Sequence, residues 1–170
     1  AKPIPTFHGA VIAIPAKKMG ADDRGVIVVD GITVAESMPG AYGVYTPGQV
    51  RIERKSGFGL DGDSTAEEKW EVESEDGNSI KVHLEYKRGA TRQSEIKTKA
   101  HSGAKPDFFR LYRGSQVTQL LRSSVIGVDH VTKMSVSASG SRFGPLFDGT
   151  EKLIGVLSIP SYVRSIYLPE

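Results

Sequence analysis

The sequence predicts an all-β protein, or a β-rich one with a single short helix, folded as a barrel or sandwich of about 8–10 strands. Three observations predict this class. Apolar and polar residues alternate with a period of two along much of the chain, which is the pattern of strands with one buried face. Candidate strands recur at short, regular spacing between turn residues. The 19 glycines suit the tight turns and bulges of such a fold.

Composition limits the function classes that fit the chain. Its 170 residues are enough for a core, 38% of them are apolar, and no cysteine occurs, which excludes a disulfide framework, a thiolate metal site and a cysteine nucleophile. No apolar run is long enough to span a membrane, no cofactor is predicted, and no linker divides residues 1–170, which we expect to form one domain. Ala1 fits both removal of an initiator methionine and signal-peptide cleavage, so the sequence assigns no compartment.

The first strand candidates lie before residue 60. Phe7–Ile14 is one, and apolar, β-branched residues on both sides of Asp30-Gly31 are typical of arms joined by a two-residue turn. We therefore expect a hairpin over Val26–Val34, with both faces covered by the core or by a partner chain. Two more candidates follow, Tyr42–Tyr45 and Gln49–Arg54.

The strongest pattern in the sequence is a hairpin from Lys69 to Lys87. Trp70 and Val72 alternate with glutamates in its first arm, and the second arm alternates apolar with polar residues from residue 80 onward. The segment Glu75–Asn78 supplies the turn chemistry between the arms.

The second half of the chain predicts strands and one helix. Ser115 is expected to cap a helix over Gln116–Ser124, since Val117, Leu120 and Leu121 would form one apolar stripe. The strand candidates here are Ser94–Lys99, Phe108–Tyr112, Val131–Ser137, Leu153–Ile159 and Tyr162–Leu168.

Charge is distributed unevenly, although the formal net charge is only +2. Residues 1–86 carry 9 basic and 14 acidic side chains, residues 87–122 carry 9 and 2, and residues 123–170 carry 4 of each. We expect binding residues in both blocks: Lys87, Arg88, Arg92, Lys97, Lys99, Arg110 and Arg113 in the basic one, and Glu67, Glu68, Glu71 and Glu73 in the acidic one.

Three interpretations of this layout compete. In the first, neighbouring strands pair the charges across one solvated sheet face. In the second, acidic and basic surfaces of different subunits dock and close into a ring or continue as a tube. In the third, residues 87–113 bind single-stranded nucleic acid, with Phe108, Phe109 and Tyr112 as stacking platforms. The low net charge and the acidic block oppose the third.

Residues 57–67 contain two motif fragments. The segment Gly57–Gly62 matches G-x-G-x-x-G, but a strand resumes soon after it, so a glycine-rich loop of an all-β domain fits better than a dinucleotide site. Asp61, Asp63 and Glu67 are candidate metal ligands, although Ala66 stands where a calcium loop needs its glycine. A solvated acidic loop is the favoured interpretation, and no metal is predicted.

The candidate catalytic residues are His130, Lys133 and Arg142. Asp129 precedes His130, but neighbours on a strand point to opposite faces and so form no base–orienter pair. Lys133 would be a Schiff-base nucleophile only if its face of the strand were interior.

The favoured function is association without catalysis, as a subunit of a homo-oligomeric ring, tube or shell with charge-complementary interfaces. The predicted partner is the chain itself. Two alternatives stay open: a small lyase, isomerase or hydrolase with a pocket in a barrel mouth, and single-stranded nucleic-acid binding through residues 87–113.

Overall fold

The computed structural model describes residues 8–17, 24–34 and 40–167. Within these ranges, ten strands form one open mixed sheet, which confirms the all-β prediction. The strands are β1 (Gly9–Lys17), β2 (Arg24–Thr33), β3 (Tyr45–Phe58), β4 (Ser64–Ser74), β5 (Ser79–Lys87), β6 (Arg92–Ser102), β7 (Phe109–Ser123), β8 (Val128–Asp129), β9 (Val131–Ser139) and β10 (Gly155–Tyr167). A short helix, α1 (Gly140–Phe143), and a 3₁₀ turn (Gly144–Leu146) separate β9 from β10.

Strand β2 joins two parts of this sheet. The strand order is β10-β7-β6-β2-β3-β4-β5-β9, with β1 against β2 and β8 against β7. The first half of β2, Gly25–Val28, pairs in parallel with β6, and Gly31–Thr33 pairs in parallel with the start of β3. We call β1, β2, β6, β7, β8 and β10 sheet A, and β3, β4, β5 and β9 sheet B.

Side chains of the two sheets pack against each other in two clusters. In one cluster, Leu84 and Tyr86 of β5 lie with Leu121 of β7. In another, Ile32 of β2 meets Val72 of β4. The apolar alternation that predicted these strands therefore supplies the side chains that hold the layers together.

A third cluster covers the face of sheet A that carries Val28, Ala100 and Tyr112, which we call the inner face of this sheet. Tyr42 is buried there with Val28 and Ala100. Its ring stacks edge-on to Phe108 at 5.8 Å between centroids, and its carbonyl accepts a 2.6 Å hydrogen bond from Ser102 Oγ. The loop before β3 is thus fixed against sheet A.

The hairpin predicted over Lys69–Lys87 is confirmed. Strands β4 and β5 pair antiparallel, with Val72 opposite Ile80. In the turn, Gly77 has φ +79°, a left-handed conformation that favours glycine.

The hairpin predicted at Asp30-Gly31 is wrong, because β2 runs through this dipeptide as one strand. A Cβ on Gly31 would lie 2.6 Å from a Tyr45 ring carbon, so this glycine permits a close approach of neighbouring strands rather than a turn. Asp30 accepts a hydrogen bond from the Gly31 N–H at 2.6 Å and binds Arg142. Tertiary contacts therefore override the turn preference.

The helix predicted over Gln116–Ser124 is also wrong, since this segment belongs to β7. Pairing with β6 on one side and β10 on the other gives it two ladders of hydrogen bonds, which outweigh a local helical stripe. The helix that does form, α1, places Phe143 fully inside the core, at 0% exposure.

Smaller differences concern strand boundaries. Tyr42–Tyr45 is mostly turn, with β3 beginning at Tyr45. Leu153–Ile159 and Tyr162–Leu168 are largely one strand, β10, with a register shift around Pro160. Phe7 and Leu168, predicted as strand ends, lie outside the described residues. In the described part of the chain, no helix has the length and apolar character needed to cross a bilayer.

Candidate functional site

The outer face of sheet B carries Glu67, Glu71 and Glu73 of the acidic block. Glu67 contacts Lys69 at 2.9 Å and Lys55 at 3.6 Å, and Glu71 lies 3.8 Å from Lys81. The hydrogen bond from Lys69 lowers the pKa of Glu67 to about 2. Glu67 and Glu71 are thus neutralised by lysines on the same sheet, as the first interpretation of the charge layout expects.

The candidate metal ligands do not gather at one point. Asp61 and Asp63 both hold the Lys87 ammonium, at 2.7 and 2.8 Å. Glu67 instead shares a cluster with His83, whose Nε2 lies 2.9 Å from the Glu67 carboxylate, and with Glu85, at 3.3 Å from the same nitrogen. The cluster offers three ligand atoms, but lysine ammoniums already contact both carboxylates.

Glu68 differs from the rest of the acidic block because it points into the core and is only 7% exposed. Its carboxylate accepts hydrogen bonds from Tyr86 at 2.9 Å, Trp70 at 3.0 Å and Arg54 at 3.1 Å. Burial raises the pKa of Glu68, but these three donors outweigh burial and hold it below its usual range. Glu68 therefore has a structural role, and it is not available to a docking partner.

The three candidate catalytic residues lie in different surroundings. Lys133 is exposed and pairs with Glu85 at 3.2 Å on the outer face of sheet B. Arg142 of α1 binds Asp30 and donates to Thr46 Oγ1 at 3.0 Å. His130 is exposed. The structure does not bring these groups together around a substrate.

A groove of about 470 Å³ opens between the two sheets. Apolar side chains dominate its lining, among them Trp70, Ile80, Val82, Leu157 and Ile159. None of the three candidate catalytic residues is part of that lining. The lining also contains two ionisable side chains, Arg54 and Glu68, which form an ion pair with each other at 3.1 Å.

The basic block divides between the two faces of sheet A. Lys97 lies directly opposite Arg113 in the pairing of β6 with β7, and both side chains are exposed. Lys99 lies on the same outer face, 4.3 Å above the ring of Phe109. Arg110 alternates to the inner face, whereas Arg88 and Arg92 lie before and at the start of β6.

Aromatic residues proposed to stack on nucleic acid also divide between the faces. Phe108 and Tyr112 pack in the buried cluster around Tyr42. Phe109 is on the outer face, where Lys99 and His101 cover its ring. The described residues therefore contain no row of open aromatic platforms along the basic segment.

The feature that sequence reasoning missed is the exposure of β10. Val163 is 76% exposed and its neighbour Tyr162 is 57% exposed. Because consecutive strand residues point to opposite faces, both faces of β10 are exposed here. Tyr162 carries the Arg164 guanidinium at 4.2 Å from its ring centroid. The sequence did carry a signal of this exposure, because apolar residues are adjacent at 162–163 and at 166–167. A strand that buries only one face needs apolar residues at alternate positions, not at consecutive ones.

The register places part of β10 beside the basic residues. Ser165 pairs with Arg113, and Val163 pairs with Ser115. Ser115 lies two positions after Arg113 on β7, so Val163 shares the outer face with Arg113. Tyr167 lies on this face too, with the Arg113 guanidinium 5.6 Å from its ring centroid. We call Lys97, Arg113, Val163 and Tyr167 the β10 surface.

Comparison with protein-family models, with curated proteins and with solved structures finds no match to this chain.

Proposed function

We propose that this protein is a subunit of a homo-oligomer and that the β10 surface docks a second copy of the same chain. The observation that carries the proposal is a long strand at the open edge of the sheet with exposed apolar side chains on both faces.

An edge strand of this kind is suited to association. β10 has 13 residues and is therefore about 40 Å long, and among the described strands only β7 pairs with it. Its other edge presents backbone donors and acceptors that a further strand can use. Pro160 and the bulge around it limit regular pairing to the stretch from Ser161 to Tyr167.

Unpaired charges support a second copy as the partner. Lys97 and Arg113 are like charges directly opposite each other, an arrangement that is unfavourable without a compensating anion. Among the described residues no carboxylate forms an ion pair with either. At the end of the β4–β5 hairpin, Glu73 and Glu75 are exposed and form no ion pair with any described residue.

These two groups are complementary and occupy different parts of the chain. A contact between the Glu73–Glu75 end of one copy and the β10 surface of the next is heterologous, and such contacts close into a ring or continue as a tube. The charges would fix the register, while the apolar residues of β10 would supply most of the burial.

The two alternative functions have less support. An enzyme needs ionisable groups that converge on a pocket, and His130, Lys133 and Arg142 are dispersed. Nucleic-acid binding needs accessible stacking platforms, and two of the three proposed aromatics are partly buried in the Tyr42 cluster.

Replacing Val163 tests the proposal directly. We expect V163D to shift the mass measured by sedimentation velocity toward the monomer value of 18.4 kDa, because it places a charge in the apolar contact. The matched control is V125D, since Val125 is 83% exposed but lies in the β7–β8 turn. Equal masses for wild type and V163D, with both folded, would refute the role of β10.

Charge reversal tests the heterologous arrangement. We expect K97E/R113E and E73K/E75K each to weaken association alone, and an equimolar mixture to form mixed complexes, because each variant then offers the charge that the other lacks. If the mixture stays as dissociated as its components, the carboxylates of the hairpin end are not the partner of the β10 surface.

A further inference from the structure

Arg110 has an unusual environment for an arginine. It is partly buried on the inner face of sheet A, where its register partner is the buried Ala100. Its Nε atom is screened from solvent and has no hydrogen-bond partner among the described residues, and none of the described carboxylates forms an ion pair with it. A screened N–H donor without an acceptor is unfavourable, and proteins rarely keep one without a reason.

Tyrosine side chains lie near this guanidinium. The Arg110 guanidinium carbon lies 6.0 Å from the ring centroid of Tyr42, and the Tyr42 and Tyr112 hydroxyls are 2.6 Å apart. The ring of Tyr45 packs edge-on to Tyr42, at 6.3 Å between centroids. The loop before β3, the first residue of β3 and strand β7 thus bring these four residues together, and the charge of Arg110 acts on the phenols of Tyr42 and Tyr45.

The polar ends of these residues are hydrogen-bond donors. Burial, followed by the hydrogen bond with Tyr112, raises the pKa of Tyr42, and burial raises the pKa of Tyr45. The phenols therefore keep their protons at neutral pH. In the hydrogen bond between the Tyr42 and Tyr112 hydroxyls, only one of the two hydroxyl protons is used. The second proton is available for donation to a third group.

We propose that Arg110, together with Tyr42, Tyr45 and Tyr112, binds a small oxyanion, either as free phosphate or as the phosphate group of a small organic molecule. A guanidinium and protonated phenols complement a ligand that only accepts hydrogen bonds, and planar guanidinium groups recognise oxyanions through paired N–H donors. The inference goes beyond self-association and does not depend on it.

The position of the site favours a small ligand over a nucleic acid. Arg110 and Arg113 alternate to opposite faces of β7, and the inner face at Arg110 is covered by the Tyr42 loop. A polyanion lying across Lys97 and Arg113 on the outer face would therefore not reach Arg110.

Isothermal titration calorimetry tests this site with two probes, inorganic phosphate and phenyl phosphate, at constant ionic strength. We expect saturable binding of one molecule per chain for at least one probe, and the tighter probe identifies the source of the phosphate group. Binding should weaken by about tenfold or more in R110M and by a smaller factor in Y112F, which removes one hydroxyl. R51M, which removes an exposed arginine of sheet B, should bind as the wild type does.

The comparison with R51M separates a specific site from general attraction of anions to surface arginines. No saturable binding of either probe by wild type, or equal binding by R110M and wild type, would overturn the proposal. If R110M does not fold, Y112F and R110K decide: unchanged affinity in both contradicts the site. Sedimentation of the same samples reports the oligomeric state separately, so loss of self-association leaves the binding result interpretable.

Discussion

At the scale of single residues, the acidic block separates into side chains with different roles. Glu67 and Glu71 pair with lysines on the surface, whereas Glu68 is buried with three donors. Alternation in the sequence predicts which glutamates share a face. It does not predict the donors to Glu68, because Arg54 and Tyr86 belong to other strands and meet it only through strand pairing.

We predict that Glu68 contributes to the pH dependence of stability. Its pKa is lowered in the folded state, so its stabilising contribution is present above the unfolded pKa of about 4.3 and is lost as pH falls through the lower folded value. The free energy of unfolding, measured in urea from pH 7 to pH 3, should therefore fall less steeply in E68Q than in wild type.

The control for this experiment is E53Q, which removes a carboxylate paired with Arg51 in an exposed position on the neighbouring strand. This substitution should leave the pH profile close to that of wild type, since exposed ion pairs contribute little. Parallel profiles for wild type and E68Q would mean that the buried contacts of Glu68 do not affect its ionisation.

At the scale of secondary-structure elements, periodicity predicted most strands but failed where partners decide the conformation. The β4–β5 hairpin has a one-sided pattern and a turn, so its signal is local. The segment Gln116–Ser124 has residues compatible with a helical stripe, and only pairing with β6 and β10 makes it a strand. The turn predicted at Asp30-Gly31 was wrong for a similar reason. The residues that contact this dipeptide, Arg142 and Tyr45, are distant from it in sequence.

The helix α1 is short, yet we predict that it is needed for stability. Phe143 anchors it in the core with Ile32 and Val72, so F143A should lower the free energy of unfolding by about 3–5 kcal/mol through loss of apolar burial and a residual cavity.

The matched control is F58A at the end of β3, where Phe58 is 82% exposed. That substitution should change stability by less than about 0.5 kcal/mol. Urea unfolding of the two variants measures the contrast, and similar effects of both substitutions would contradict the assigned role of α1.

At the scale of the whole molecule, the sequence predicted an all-β chain with segregated charge. It did not predict which charged side chains remain available for contact with a second copy. Strand order decides this. Because β3, β4 and β5 are neighbours, lysines of sheet B contact Glu67 and Glu71 of the acidic block, while Lys97 and Arg113 face each other on sheet A. The open edge at β10 also follows from strand order, which no local pattern reveals.

The central claim is that the unpaired charges and the apolar edge of β10 exist for contact between copies. The most direct test is the mass of the wild-type protein, measured by sedimentation over a range of protein and salt concentrations. The account predicts a species larger than 18.4 kDa that grows with protein concentration and shrinks as salt screens the charges. A single 18.4 kDa species at every concentration and at low salt would contradict it.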